Sequence, residues 1–414
     1  MTFVIRQSPY LLFIYTFKKG TGENKKDMKK NLANPLVKVN EFGQSIWLDF
    51  ISRQILHNGE LLQLIAEDGL HGMTSNPAIF EKAMAGSPEY DDDIRALVQQ
   101  GKSAGEVYEA MAVTDVQHAC DRFRSLYDDP ESNRTDGYVS LEVAPTLVHD
   151  TQGTIEEGRR LWGAVNRPNL MIKVPGTVEG LPAVRTLIGE GINVNVTLLF
   201  SVERYRAVVD AYLGGLEDRA GRGESLEGIT SVASFFLSRI DLLLDPQLEK
   251  LVSEGGAKAE IARPMVGQVA IANAKRAYQL YKETVASNRF QALASHKATM
   301  QRLLWASTGN KNPNYSPLKY VEALIGPKTV NTVPLDTLLM YRKDGQPQAR
   351  LEEGIAEAER VLNQLPEVGI DLEAVATQLE VDGAKKFVDP FTKLMEGLEK
   401  KRQDFLAEST TAGR

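Results

Sequence analysis

The chain has 414 residues, a length that fits two or three small domains or a single α/β barrel with additional elements. Hydrophobic residues make up 43% and charged residues 25%, which is typical of a globular protein with a substantial core and excludes a disordered or collagen-like chain. The 48 Lys and Arg residues against 55 Asp and Glu residues give a net charge of −7, which argues against nucleic acid or a membrane surface as partner.

The first 30 residues differ from the rest of the chain. Their longest apolar run, residues 10–17, is far shorter than the roughly 20 residues that span a bilayer. Residues 20–30 are polar and rich in lysine, and Met28 is an alternative start. We expect residues 1–30 to be an extension of one of three kinds: a disordered tail, a weak targeting signal or a translation-start artefact. We do not expect the function of the protein to depend on it.

From residue 45 onward, short apolar runs alternate with longer amphipathic ones, a pattern that indicates repeated βα units around a parallel sheet. Eight such units predict a (β/α)₈ barrel as the fold class, with residues 31–345 as its catalytic domain. The strand candidates are residues 45–50, 70–75, 138–144, 169–175, 193–200, 231–237, 302–308 and 329–334.

Helix start signals follow several of these strands. Asn76 precedes Pro77, which places a capping residue before a proline in the first turn. Thr154 and Glu157 have the spacing of a capping box. We therefore predict helices that begin at these two points.

No strand is predicted after residue 334. Residues 351–365 and 371–405 have the pattern of helices. We expect residues 346–414 to form C-terminal helices that pack on the outside of the barrel or across one of its mouths.

Polar residues at the carboxyl ends of the strands are the candidates for chemistry, because barrel active sites form there. Asp49 and Glu142 stand near two strand ends, and Lys173 lies inside an apolar strand. Positions 193, 195 and 197 are Asn, Asn and Thr, and the two-residue period of a strand places them on one face. Burial of these groups costs several kcal/mol unless they pair, so we expect a mutual network.

Two interpretations of Lys173 remain open on the residues alone. The first is a structural ion pair with Glu142 or Asp49. The second is a nucleophile, since desolvation keeps part of a buried lysine as the neutral amine that attacks a carbonyl and forms a Schiff base.

Other chemistries find little support in the sequence. The five histidines are scattered without the spacing of metal ligands, and no phosphate-binding loop or dinucleotide fingerprint is present, so we predict no metal and no cofactor. The single cysteine, Cys120, cannot form an intrachain disulfide, which favours a reducing compartment, and we expect a cytoplasmic protein. A lone Cys in a helical stretch is expected in the core.

Five segments between residues 45 and 337 resemble the transaldolase family and occur in its order. The resemblance is to the larger bacterial branch of that family. The segments are MTSNP at 73–77, SLEV at 140–143, IKVP at 172–175, NVTLLFS at 195–201 and SFFLSR at 234–239.

The resemblance implies a transferase of the pentose phosphate pathway. Such an enzyme moves a dihydroxyacetone unit from sedoheptulose 7-phosphate or fructose 6-phosphate to glyceraldehyde 3-phosphate or erythrose 4-phosphate, through a lysine Schiff base. Lys173 matches that lysine, and Asp49 matches the acid/base of carbon–carbon cleavage. Glu142 resembles the second carboxylate, which acts through a water, and Thr197 resembles the hydroxyl that positions this water.

The resemblance also implies substrate-binding residues. Asn76 and Asn195 match the amides that hold the hydroxyls of the three-carbon unit. Phe236, together with the C-terminal helices, is our candidate for excluding bulk water.

Arg239, Ser234 and Ser307 match the residues at the phosphate end of the substrate. The better-known branch has an arginine two residues after the last of these serines, where this chain has Gly309. We expect Lys311 to substitute for that arginine, as a point charge rather than a rigid fork.

Two other functions stay open. A sister class of barrel aldolases uses the same lysine but releases the three-carbon unit, and it has an amide where this chain has Glu142, which favours transfer. A catalytically silent barrel, or a protein that binds partners through its helical surface, would lack Lys173, Asp49 or Glu142, and all three are present. The outer helices of a barrel are compatible with a monomer and with a homodimer.

Overall fold

The computed structural model describes residues 34–85, 87–132 and 134–412, so the expected extension at residues 1–30 lies outside the described residues. In the described ranges, eight parallel strands pair in chain order and the last pairs with the first, which closes a barrel and confirms the predicted fold class. The strands are β1 (Gln44–Asp49), β2 (Leu70–Thr74), β3 (Tyr138–Glu142), β4 (Leu170–Pro175), β5 (Val194–Leu199), β6 (Ser231–Phe236), β7 (Arg302–Ala306) and β8 (Thr329–Val333).

Helices surround the barrel and also follow it in the chain. Short 3-10 helices lie at Pro88–Tyr90, Pro130–Ser132, Pro145–Leu147, Arg263–Met265 and Leu365–Val368. The α-helices of the described residues are α1 (Pro35–Glu41), α2 (Arg53–His57), α3 (Glu60–Asp68), α4 (Pro77–Ala85), α5 (Asp91–Gln99), α6 (Ala104–Tyr127), α7 (Thr151–Val165), α8 (Gly180–Gly189), α9 (Val202–Gly221), α10 (Ser238–Glu254), α11 (Ala257–Ala262), α12 (Val269–Ala286), α13 (Asn288–Ala294), α14 (Lys319–Ala323), α15 (Leu335–Asp344), α16 (Ile355–Gln364) and α17 (Leu372–Ala412).

Each strand begins and ends within two residues of its predicted range. The strands are buried almost throughout, because one face of each lies inside the barrel and the other lies under the helices. Cys120 is buried in α6 as a free thiol, as expected for a core residue.

One of the two predicted helix starts is correct. Asn76 precedes α4, and its Oδ1 accepts a hydrogen bond from the backbone N–H of Ile79 at 3.1 Å. The capping box predicted at Thr154 is wrong, because the cap is Asp150, four residues earlier, and α7 begins at Thr151. The Asp150 carboxylate accepts from Gly153 N at 2.9 Å, and the Thr154 hydroxyl is buried inside the helix and donates to the Leu147 carbonyl.

The two C-terminal helices take different positions. Helix α16 packs on the outside of the barrel against α12. Helix α17 packs against α4, α10 and the strand β5, so it lies across the carboxyl end of the barrel. None of the helices in the described part of the chain combines the length and apolar composition that a membrane crossing needs.

A buried ion network lies at the opposite end of the barrel. The Arg302 guanidinium donates to Asp136 Oδ1 at 3.1 Å and to the Ser45 hydroxyl at 2.6 Å. His71 Nδ1 lies 3.1 Å from Asp136 Oδ2. Burial disfavours the charged carboxylate, but His71 and Arg302 outweigh burial and hold the pKa of Asp136 below its usual range.

Candidate active site

Lys173 lies at the centre of a polar cluster inside the barrel. It occupies β4 directly beside Glu142 of β3, and its Nζ is 3.1 Å from Glu142 Oε2. The same Nζ donates to the backbone carbonyl of Ser75 at 2.9 Å. Only 5% of Lys173 is exposed, so the amine is removed from bulk water and held by one carboxylate and one carbonyl.

Asp49 is at the end of β1, within electrostatic reach of Lys173. The Thr74 hydroxyl donates to Asp49 Oδ1 at 2.7 Å and lies 2.8 Å from the Thr332 hydroxyl. Burial raises the pKa of Asp49, although the positive charge of Lys173 and the hydrogen bond from Thr74 act in the opposite direction. Asp49 therefore keeps its proton to a higher pH than an ordinary aspartate does, which suits a group that accepts and returns protons.

Glu142 has a similar environment. Burial raises the pKa of Glu142, the neighbouring Lys173 lowers it, and the like charge of Asp49 raises it further. Two carboxyl groups with raised pKa values thus flank one amine, and groups with shifted pKa values in a cleft are typical of acid/base sites.

Asn195 and Thr197 lie on the same face of β5, as the two-residue period of a strand predicts. The Asn195 amide donates to the Ser140 hydroxyl at 3.0 Å, and the Ser234 hydroxyl donates to Asn195 Oδ1 at 2.7 Å. The Thr197 hydroxyl is buried and has no hydrogen-bond partner among the described residues. Its free donor and acceptor fit a site for a water or substrate oxygen.

Asn193 does not share this site. Its amide donates to the carbonyls of Pro168 and Leu170, at the start of β4 and the far end of the barrel. Asn76 does belong to the site, since it caps α4 and also hydrogen-bonds with Asp49, which lowers the pKa of that carboxyl.

Arg239 stands at the mouth, in the first turn of α10. Its guanidinium carbon is 5.1 Å from the centroid of the Phe236 ring. Its Nη1 is buried and has no hydrogen-bond partner among the residues that the structure describes. Burial lowers the pKa of Arg239, whereas Asp49 and Glu142 raise it.

The other residues expected at the phosphate end separate into two groups. The Ser307 hydroxyl is 2.9 Å from that of Ser238, the residue before Arg239, and Ser307 adopts a left-handed backbone with φ 55°. Lys311 lies within electrostatic reach of Arg239. Ser234, in contrast, lies against Asn195, so its hydroxyl positions that amide.

Helix α17 closes the mouth with an aromatic side chain. The Phe387 ring centroid lies 5.8 Å from Lys173 Nζ and 5.8 Å from Arg239 Cζ. Gly383, one turn earlier, lies so close to α10 that a Cβ there would stand 3.3 Å from Arg239 Nη1 and 2.8 Å from Leu198 Cδ2. The helix therefore packs directly on the polar cluster.

Several residues of the site were not predicted. Thr74 and Ser140 lie within segments that carry the family resemblance, which was the signal available for them. Thr332 is the residue before the last of β8, and Phe387 comes from a helix whose docking position no local pattern indicates. Within the described ranges, no three His, Cys, Asp or Glu side chains come together as metal ligands.

Comparison with known proteins gives a consistent result. Residues 46–398 match the family model described as transaldolase/fructose-6-phosphate aldolase. The chain is 49% identical to a transaldolase 2 of Nostoc sp. over 89% of its own length and 97% of the relative's. It is 48% identical to a transaldolase of Thiobacillus denitrificans over 86% of this chain and 97% of the relative. It is 45% identical to a transaldolase of Mycolicibacterium paratuberculosis over 89% of this chain and 97% of the relative.

Proposed function

This chain belongs to the transaldolase/fructose-6-phosphate aldolase family, and we propose that it acts as a transaldolase through a Schiff base on Lys173. The donor is a ketose phosphate, the acceptor is an aldose phosphate, and the group transferred is a three-carbon dihydroxyacetone unit. The observation that supports this most directly is the 3.1 Å pairing of Lys173 Nζ with the buried Glu142 carboxyl.

Formation of the Schiff base needs a neutral amine and a group that returns protons. Glu142 accepts a proton from the Lys173 ammonium, and the free amine attacks the ketose carbonyl. Glu142 then protonates the carbinolamine hydroxyl, which leaves as water. The unpartnered hydroxyl of Thr197 is the group that holds this water.

Cleavage of the carbon–carbon bond needs a second base. Asp49 takes the proton of the ketose C4 hydroxyl, the C3–C4 bond breaks, and the aldose phosphate leaves. The three-carbon unit remains on Lys173 as an enamine, with Asn76 and Asn195 binding its hydroxyls. An acceptor aldehyde is then attacked by the enamine, and Asp49 returns the proton.

Retention of the intermediate requires exclusion of water. Phe236 and Phe387 provide apolar surface beside Arg239 and Lys173. Arg239, Ser307 and Lys311 bind the phosphate, the first through a bidentate fork and the last as a point charge.

The test is borohydride trapping with fructose 6-phosphate, followed by intact mass and peptide mapping. We expect a three-carbon adduct on Lys173 that erythrose 4-phosphate discharges before reduction. The Lys173→Ala variant should give none, whereas Lys297→Ala, which removes a surface lysine paired with Glu227, should label normally. An adduct on another lysine, or none, contradicts the mechanism, and discharge without an acceptor indicates an aldolase.

We further infer that the reaction takes place in the cytoplasm, as part of the pentose phosphate pathway. The buried free thiol of Cys120 is consistent with a reducing compartment. Light scattering distinguishes a monomer from a homodimer.

A further inference from the structure

Four positive side chains that form no ion pair among the described residues stand around the mouth of the barrel. They come from separate parts of the chain: Lys82 from the last turn of α4, Arg239 from α10, Lys311 from the loop after β7, and Lys386 from α17. In the described part of the chain, none of the four forms an ion pair or a hydrogen bond.

Helix α17 brings two of these groups together. It packs against both α4 and α10. Its Gly383 approaches the Arg239 guanidinium, and Phe387 lies over the same group. Lys386 is three residues after Gly383, and residues three apart on a helix share a face, so Lys386 lies on the side of α17 that faces the mouth.

Three of these charges act on the fourth, Lys311. Partial desolvation of the Lys311 amine lowers its pKa, and the positive charges of Arg239, Lys386 and Lys82 lower it further. Like charges that no ion pair offsets destabilise the protein, and a bound dianion removes that repulsion. Lys82, Lys311 and Lys386 are all exposed, so an anion reaches them from solvent.

We propose that Lys82 and Lys386 complete the phosphate-binding site of the sugar substrate, with Arg239 and Lys311. This inference rests on the proposed function and extends it to two residues that the family resemblance does not include. Arg239 binds the phosphate from inside the mouth, and the lysines bind it from the rim. Because Lys386 belongs to α17, a bound phosphate also holds Phe387 over Lys173.

The test compares donors with and without a phosphate. For Lys386→Gln and Lys82→Gln, we expect the ratio of kcat/KM for fructose 6-phosphate to that for fructose to fall about tenfold, the effect of one lost charge-assisted contact. The matched control is Lys385→Gln, an exposed neighbour about 100° away around the helix axis, which should leave the ratio unchanged. A ratio in Lys386→Gln equal to that of Lys385→Gln overturns the proposal.

A second measurement separates this proposal from the proposed function. Calorimetric titration with inorganic phosphate needs no turnover. We expect the wild type to bind phosphate most tightly, Lys386→Gln to bind it more weakly, and the double variant with Lys82→Gln and Lys386→Gln to bind it most weakly. Equal phosphate affinity in all three overturns the site while leaving Schiff-base trapping on Lys173 intact. Failed trapping with this order of affinities contradicts the proposed function and retains the anion site.

Discussion

Lys173 and Glu142 are register partners on adjacent strands, and Lys173 Nζ lies 3.1 Å from Glu142 Oε2. The pair is buried, so any proton that leaves the amine has a carboxyl within hydrogen-bond distance to receive it. A structural ion pair and an acid/base pair have the same geometry here, and substitution of the carboxyl distinguishes them.

Glu142→Gln keeps the shape and a hydrogen bond to Lys173 but removes the group that exchanges protons. We expect kcat to fall by about 10²–10⁴, the usual contribution of general acid/base catalysis. Rapid-quench borohydride trapping should show slow formation of the adduct. The control is Glu156→Gln, at an exposed position on α7, which should form the adduct at the normal rate. A normal rate in Glu142→Gln as well would mean that Glu142 has only a structural role.

Asp49→Asn should separate Schiff-base formation from cleavage. The amide keeps the hydrogen bond from Thr74 but cannot accept the C4 hydroxyl proton. Trapping with fructose 6-phosphate should therefore give a six-carbon phosphorylated adduct on Lys173, where the wild type gives a three-carbon one. Intact mass distinguishes the two, and a three-carbon adduct in the variant would assign the base to another residue.

The raised pKa of Asp49 also predicts how stability depends on pH. Its folded-state pKa lies above the unfolded value because of burial, so the folded chain binds the proton more tightly. The stability that Asp49 contributes is complete below the unfolded pKa of about 4 and is lost as pH rises through the folded pKa.

Asp49→Asn should accordingly gain stability relative to the wild type as pH rises from acid to neutral. Urea unfolding at a series of pH values measures the difference. A difference that is independent of pH would contradict the raised pKa.

The ion network at the far end of the barrel predicts a purely structural effect. Asp136→Asn leaves the buried Arg302 guanidinium without its carboxylate, which should cost about 3 kcal/mol of unfolding free energy. The kinetic constants of the folded enzyme should not change. Asp218→Asn removes the partner of Arg185 at the surface, and we expect little change in stability there.

Gly383 sets the distance between α17 and the site. Gly383→Val adds a branched side chain where even a Cβ is 2.8 Å from Leu198 Cδ2 and 3.3 Å from Arg239 Nη1, so these two side chains must shift to admit it. We expect a higher KM for phosphorylated donors and faster loss of the three-carbon adduct to water. Gly397→Ala, on the same helix with no described atom within 4 Å of the added Cβ, should keep full activity and gain up to about 1 kcal/mol in stability.

The strands were predictable because each is a short apolar run with turn or helix signals on both sides. The approach of Lys173 to Glu142 was only partly predictable, since it depends on the register between β3 and β4, which neither strand specifies alone. The start of α7 was misplaced because Asp150 and Thr154 both suit a helix cap, and tertiary contacts decide between them.

The sequence left two positions open for the C-terminal helices, the outside of the barrel or one of its mouths, and α17 takes the second. Its amphipathic pattern predicts a helix with one buried face, but not which surface covers that face. No sequence pattern therefore assigned Phe387 or Lys386 to the site, although the Phe387 ring lies beside Arg239 and Lys173 in the structure.

The hydrogen-bonded chain from Asp49 through Thr74 to Thr332 crosses the seam at which the first and last strands meet. The contact between Thr74 and Thr332 therefore forms only when the ring closes, whereas Asp49 and Thr74 are adjacent once β1 and β2 pair, and Lys173 and Glu142 once β3 and β4 pair. During refolding, carbon–carbon cleavage that recovers later than amine reactivity toward a ketose would report this last contact.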